Sequence, residues 1–67
     1  MSKLLLSTDQ QLHTLLTAKR FGGNFIKHLA EAGLVADPLN RARIFESWPE
    51  IVVQYGPRSI FYSEAFG

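Results

Sequence analysis

The chain has 67 residues, of which 46% are hydrophobic, and its seven Lys and Arg residues nearly balance six Asp and Glu residues. It contains no cysteine, which excludes a disulfide framework and thiolate zinc sites. The apolar fraction argues against intrinsic disorder, and the net charge of +1 lacks the basic excess typical of nucleic-acid-binding proteins. We therefore expect one small domain over residues 1–67, stabilised by apolar packing and near the lower size limit for independent folding.

The sequence also predicts a cytoplasmic protein with no membrane segment. No apolar run approaches the ~20 residues that cross a bilayer. The segment Met1–Leu6 is too short for the apolar region of a signal peptide.

A first helix is predicted from Ser7 or Thr8 to about Arg20. Ser7 with Gln10, or Thr8 with Gln11, has the spacing of a capping box. A helical apolar stripe then follows at Leu12, Leu15 and Leu16.

The adjacent glycines Gly22 and Gly23 interrupt this helical pattern, and we place a helix boundary there. One explanation is a break in which one glycine adopts a positive φ angle that other residues resist. The other is one bent helix whose bare glycines let another helix pack closely. Gly22→Ala and Gly23→Ala distinguish the two explanations.

Second and third helices follow the glycines. Asn24 is a candidate cap for the second helix, and Gly33 is expected to weaken or end its last turn. Its apolar positions are Phe25, Ile26, Leu29, Ala30, Gly33 and Leu34. Asp37-Pro38 then has the residues preferred at a helix N-cap and first helical position. The apolar stripe of the third helix is Leu39, Ala42, Phe45 and Trp48.

A short fourth helix is predicted after Trp48-Pro49, with Ser47 as its cap and Gly56-Pro57 as its end. Ile51–Val53 also has strand character because its residues are β-branched. A single strand would lack a partner, so we favour a helix. The aromatic segment 58–67 shows no clear periodicity. The predicted fold is all-α, a small bundle of three main helices and a short fourth, with the C-terminal segment packed across it.

Chemistry-bearing motifs are sparse, and we expect no enzymatic activity, cofactor or metal site. His13 and His28 lie on different predicted helices, and the pair His28 and Glu31 matches no established metal-binding spacing. No serine lies in a G-x-S-x-G turn, which leaves no recognisable nucleophile. Gly22-Gly23 lacks the Gly-Lys-Ser/Thr sequence and preceding strand of a phosphate-binding loop.

A helix–turn–helix DNA-binding protein is one alternative. Residues 25–45 fit that layout, with residues 38–47 as the recognition helix and Asn40, Arg41 and Arg43 early on it. The competing interpretation is an ordinary helical hairpin with arginines on its polar face. Because attraction to phosphate supplies much of DNA affinity, the small net charge makes nucleic acid an unlikely partner.

Aromatic residues instead favour a protein-binding function. Six of the eight lie in the last third of the chain, more than a core of this size holds. In the competing interpretation Phe45, Trp48 and Tyr55 belong to the core, and the tail folds back over it. Aromatic residues and arginine are enriched at protein interfaces. The candidate partner-contacting residues are Arg41, Arg43, Trp48, Phe61, Tyr62 and Phe66, for either a different protein or a second copy of this chain.

Several short segments resemble small uncharacterised proteins of bacteriophages and prophages. They are F-G-G-x-F at 21–25, L-A-E-A at 29–32, A-D-x-x-N at 36–40, W-P-E-I at 48–51 and Y-G at 55–56. The resemblance implies an accessory protein in the cytoplasm of an infected bacterium. Such proteins often bind a host protein, including components of defence systems, and block or redirect it. The resemblance supplies no activity and no site residues.

Overall fold

The computed structural model describes the backbone of residues 6–64 and the side chains of residues 6–62. The regular secondary structure of these residues is all helix, with no strand, which confirms the all-α prediction. A fifth short helix, which the sequence pattern did not predict, lies in the C-terminal segment. The helices are α1 (Thr8–Phe21), α2 (Asn24–Val35), α3 (Pro38–Ser47), α4 (Glu50–Tyr55) and α5 (Ile60–Glu64).

The first of the two predicted capping boxes opens α1. The amide of Gln10 donates to Oγ of Ser7 at 3.1 Å, and the amide of Ser7 donates to Oε1 of Gln10 at 2.9 Å. Two amides that the helix leaves unpaired are thereby satisfied. Lys19 and Arg20 lie in the last turn of α1, where cations oppose the negative end of the helix dipole.

Gly22 and Gly23 separate α1 from α2, as predicted, but neither has a positive φ angle. Gly22 has φ −78° and ψ 164°, and Gly23 has φ −74° and ψ −175°, so both are extended. The positive-φ explanation of the break is therefore wrong. A single bent helix is also wrong, because α1 ends at Phe21 and α2 begins at Asn24. Close packing accounts for Gly22 instead, because a Cβ atom there would lie 2.5 Å from Cγ2 of Ile26 and 2.6 Å from the carbonyl oxygen of Ala18.

The second helix differs from its prediction at its start. Asn24 is the first helical residue and Gly23 takes the cap position, so Asn24 does not cap α2. At the other end, Gly33 lies in the last turn without ending the helix, which continues to Val35. Gly33 is tolerated inside the helix because Leu15 packs against its bare backbone, where a Cβ atom would lie 3.0 Å from Cδ1 of Leu15.

A proline marks the start of both the third and the fourth helix: α3 begins at Pro38, and α4 begins directly after Pro49. Asp37 occupies the cap position of α3 and Pro38 its first position, as predicted. The segment Ile51–Val53 is helical rather than a strand, and Gly56 follows the last residue of α4. Ser47 does not cap α4, because it is the last residue of α3 and Pro49 precedes α4 directly.

The core is centred on α1, which packs most extensively against α2 and then against α4 and α5. Two threonines of α1, Thr14 and Thr17, are also fully buried. Leu39, predicted on the apolar stripe of α3, is instead exposed. The buried apolar side chains are Leu15, Ala18, Ala30, Phe45, Ile51 and Tyr55.

None of the helices in the described residues combines the length and the apolar character that a membrane-spanning helix requires.

Candidate interaction surface

Two of the predicted contact residues, Phe61 and Tyr62, pack against the helical bundle. The ring of Phe61 stacks on Phe21 with centroids 4.8 Å apart and lies 6.0 Å from the ring of Tyr55. The ring of Tyr62 stacks on His13 at 3.8 Å, with 12° between the ring planes. Both side chains are half-buried. Residues 60–62 therefore pack back over the core, and Phe66, the third C-terminal aromatic residue of the predicted contact set, lies outside the described residues.

The predicted contact residues Arg41 and Arg43 have different surroundings. The half-buried guanidinium of Arg41 donates from Nε to the carbonyl oxygen of Gly33 at 3.0 Å, and from Nη2 to that of Ala36 at 2.7 Å. These carbonyls lie at the end of α2, so Arg41 caps that helix from α3. Arg43 is exposed, and its Nη1 lies 3.4 Å from Oδ1 of Asn40.

In the DNA-binding alternative, polar groups early on α3 would contact DNA, but Asn40 and Arg41 already form hydrogen bonds within the protein. Asn40 donates from Nδ2 to Oδ1 of Asp37 at 2.6 Å, which places a carboxylate beside the first turn of α3. Arg41 already binds carbonyls of α2. Of the three residues expected to contact DNA, Arg43 is the one whose cationic group is exposed. A single cation beside a carboxylate is a weak electrostatic basis for phosphate binding.

Trp48, the remaining predicted contact residue, forms a pair with an aromatic residue that the prediction did not include. Its half-buried ring packs against the core and meets the ring of Phe25 edge-on, with centroids 6.0 Å apart and 65° between the planes. Phe25 itself is 61% exposed. We call this two-residue surface the Phe25–Trp48 pair.

The pair forms where the start of α2 meets the end of α3. Phe25 is the second residue of α2, directly after the glycine break. Trp48 directly follows the last residue of α3, and its amide donates to the carbonyl oxygen of Ile44 at 2.9 Å. Pro49 follows, and it disfavours a helical conformation for Trp48. The two helix boundaries thus place one exposed and one anchored aromatic ring side by side.

Other large apolar side chains are exposed in the described residues, but none of these is aromatic. Isolated apolar side chains at a surface are normal. Phe25 differs from them because its ring contacts a tryptophan anchored to the core. The other exposed positions are Leu16, Val35, Leu39, Val53 and Ile60.

Phe25 was expected on the apolar stripe of α2, and a narrower stripe would have identified it as exposed. The residues of α2 that face the core are Ile26, Leu29, Ala30, Gly33 and Leu34. Phe25 precedes that series by one residue and lies at its edge. The helical spacing was therefore informative, but the stripe drawn on it was one residue too wide.

Each of the two histidines forms a hydrogen bond to a backbone carbonyl oxygen through one ring nitrogen. Nε2 of His13 donates to the carbonyl oxygen of Tyr62 at 2.7 Å, and Nδ1 of His28 donates to that of Asn24 at 2.7 Å. A carbonyl oxygen only accepts, so each of these nitrogens carries hydrogen. Within residues 6–62, no three His, Asp or Glu side chains come together as a set that could hold a metal ion.

Comparison with models of protein families, with curated proteins and with solved structures gives no match to this chain.

Proposed function

We propose that this chain is a non-enzymatic accessory protein of a bacteriophage or prophage, which binds a host or viral protein in the bacterial cytoplasm and modulates or inhibits it. The observation that carries the binding part is the Phe25–Trp48 pair. The phage setting and a target in host defence rest on the resemblance of the short segments given above.

The pair has the properties of an interface anchor. Tryptophan is enriched among residues that dominate binding energy, and aromatic residues are enriched at interfaces. Trp48 is held by the core, so little conformational entropy is lost when a partner covers it. Burying a whole Phe side chain contributes about 1.5–3 kcal/mol. Covering the exposed part of Phe25 would then contribute roughly 1–2 kcal/mol.

Capture experiments test this proposal with a matched pair of variants. Tagged wild-type protein, Phe25→Ala and Val53→Ala are each incubated with lysate of a bacterial host, and captured proteins are identified by mass spectrometry. Val53 is 76% exposed and serves as the control, because it is apolar but lies on α4. We expect one specific protein to be retained by wild type and by Val53→Ala, and to be reduced about tenfold by Phe25→Ala.

The possible outcomes distinguish two claims: that the chain binds a protein, and that the Phe25–Trp48 pair is the surface that does so. Equal capture by both variants would show that the Phe25–Trp48 pair is not the binding surface. Capture of nothing specific by the wild type would contradict the protein-binding function itself. A second alternative is a small structural or dimerising component, and a solution mass of twice 7.6 kDa would favour it.

DNA binding through Pro38–Ser47 stays the first alternative, and Arg43 provides its test. If the alternative holds, the wild type shifts duplex DNA in a gel at low salt and Arg43→Ala weakens that shift. Absence of a shift at low salt would eliminate the alternative, because even non-specific affinity rises as salt falls. Arg41→Ala is unsuitable for this purpose because it also removes a helix cap.

A further inference from the structure

The C-terminal strap, which we define as Arg58–Tyr62, depends on a few contacts for its structure. Its helix α5 has five residues, far below the ~12–15 at which isolated helices become marginally stable in water. Its order must therefore come from the surfaces that it touches. In the described residues Phe61 stacks on Phe21 and lies beside the ring of Tyr55. Tyr62 stacks on His13, and Nε2 of His13 donates to the carbonyl oxygen of Tyr62.

The core, in contrast, is built without the strap. All six buried apolar side chains come from α1, α2, α3 and α4, and Phe61 packs against this cluster from outside. Removing the strap would uncover Phe21 and Tyr55 but would leave the remaining packing in place.

The docked strap also contains groups that oppose docking. Oγ of Ser59 is buried and has no hydrogen-bond partner in the described residues. A buried polar group without a partner loses its hydration without compensation. Ile60 is exposed, so it contributes little apolar burial to the docked state. The amide of Tyr62 donates to the carbonyl oxygen of Ser59 at 3.4 Å, which is long for such a bond.

We propose that the strap is a detachable element, which opens at Gly56-Pro57 and leaves α1–α4 folded. A local opening of this kind requires less free energy than unfolding of the whole domain. Opening uncovers the rings of Phe21, Tyr55 and His13 on one side of the bundle. Phe21 ends α1 four residues before Phe25, so the uncovered ring lies at the same helix junction as the Phe25–Trp48 pair. Only that last connection, to a partner surface, rests on the proposed function.

Amide hydrogen exchange of the free protein, followed by NMR across a series of low urea concentrations, tests the opening. The compared amides are those of Ser59 and Tyr62 in the strap and those of Leu15 and Ala18 in α1. We expect the strap amides to exchange at least tenfold faster than the α1 amides, at a rate that low urea barely changes. The α1 amides should exchange through global unfolding, which urea accelerates.

Two variants move the equilibrium in opposite directions. His13→Phe keeps a ring over Tyr62 but removes the N–H donor, so it should accelerate exchange of the strap amides at least threefold. Ser59→Ala removes the buried hydroxyl, so it should slow exchange of the Tyr62 amide. The exchange rates of the Leu15 and Ala18 amides, measured in the same sample, serve as the internal reference for the strap amides.

Three results would overturn the proposal. Strap and α1 amides that share one rate and one urea dependence would mean that the strap opens only when the whole domain unfolds. Strap amides that exchange at the rate of an unstructured peptide would mean that the strap is not docked in solution. Variants that change both sets of amides equally would mean that these contacts stabilise the domain as a whole. None of these measurements involves a partner, so they are independent of the binding function.

Discussion

Two buried threonines of α1 differ in what their hydroxyl groups contact. Oγ1 of Thr17 donates to the carbonyl oxygen of His13 at 2.8 Å, whereas Oγ1 of Thr14 has no partner in the described residues. Both side chains are fully buried. A buried hydroxyl without a partner costs about 1–3 kcal/mol, while a typical hydrogen bond contributes about 0.5–1.5 kcal/mol.

We therefore expect opposite effects from the same substitution at these two positions. Thr14→Val replaces the unpaired hydroxyl with a methyl group of the same shape and should raise the free energy of unfolding by about 1 kcal/mol. Thr17→Val should lower it by about 0.5–1.5 kcal/mol. Urea denaturation of both variants measures the difference. Equal effects of the two substitutions would mean that the hydroxyl of Thr14 is paired in solution.

The two glycines at the α1–α2 boundary provide a second matched pair. Gly22→Ala places a methyl group against Ile26 and the Ala18 carbonyl oxygen, and overpacking of this kind costs about 1–3 kcal/mol. A Cβ atom at Gly23 meets nothing within 4 Å. There the lower entropy of the unfolded chain offsets the poorer helix cap, so Gly23→Ala should change stability by less than about 0.5 kcal/mol. A larger loss at Gly23 than at Gly22 in urea denaturation would refute the close-packing explanation.

Among the helices, α2 and α3 are joined by a polar side chain as well as by apolar packing. Arg41 of α3 donates to two carbonyls at the end of α2. The carbonyl oxygen of Gly33 also accepts from the amide of Ala36 at 3.3 Å, so Arg41 adds a second, charged donor there. Arg41→Ala removes both bonds from a half-buried site and should lower the free energy of unfolding by about 1–2 kcal/mol. Arg43→Ala is the control, because that side chain is exposed and its loss should cost less than about 0.5 kcal/mol. Chemical denaturation compares the two variants, and equal losses would mean that Arg41 has no capping role.

The helices that sequence predicted well are those with local signals at their ends. The Ser7–Gln10 capping box and the Asp37-Pro38 start involve residues within three positions of each other, so their geometry is determined locally. The helix α5 has no such signal. It forms because Phe61 and Tyr62 meet α1, and the hydrogen bond between His13 and Tyr62 joins residues 49 positions apart. Sequence periodicity does not report contacts of that range.

The candidate site was only partly predictable, for the same reason. Trp48 was identified from its residue type and from the proline that follows it. The exposure of Phe25 depends on how α2 rotates against α1, and the capping role of Arg41 depends on how α3 folds back on α2. Both are consequences of packing between helices. Residue composition alone favoured the C-terminal aromatics, two of which pack against the bundle.

The whole domain has a small free energy of unfolding. Substitutions of buried residues therefore threaten the fold, and binding is best tested at exposed residues. At about 0.05–0.15 kcal/mol per residue, 67 residues correspond to roughly 3–10 kcal/mol of folding stability. Truncating a fully buried side chain such as Leu15 costs about 2–5 kcal/mol, which is a large part of that total. Phe25 is mostly exposed, so its truncation tests binding while the fold is retained.

The most direct measurement is therefore the affinity of the captured partner for wild type, Phe25→Ala and Val53→Ala, determined by titration calorimetry, with circular dichroism to confirm equal helix content. We predict that Phe25→Ala raises Kd about tenfold, which corresponds to about 1.4 kcal/mol, while Val53→Ala leaves Kd unchanged. Unchanged Kd for a folded Phe25→Ala protein would contradict the claim that the Phe25–Trp48 pair is the binding surface.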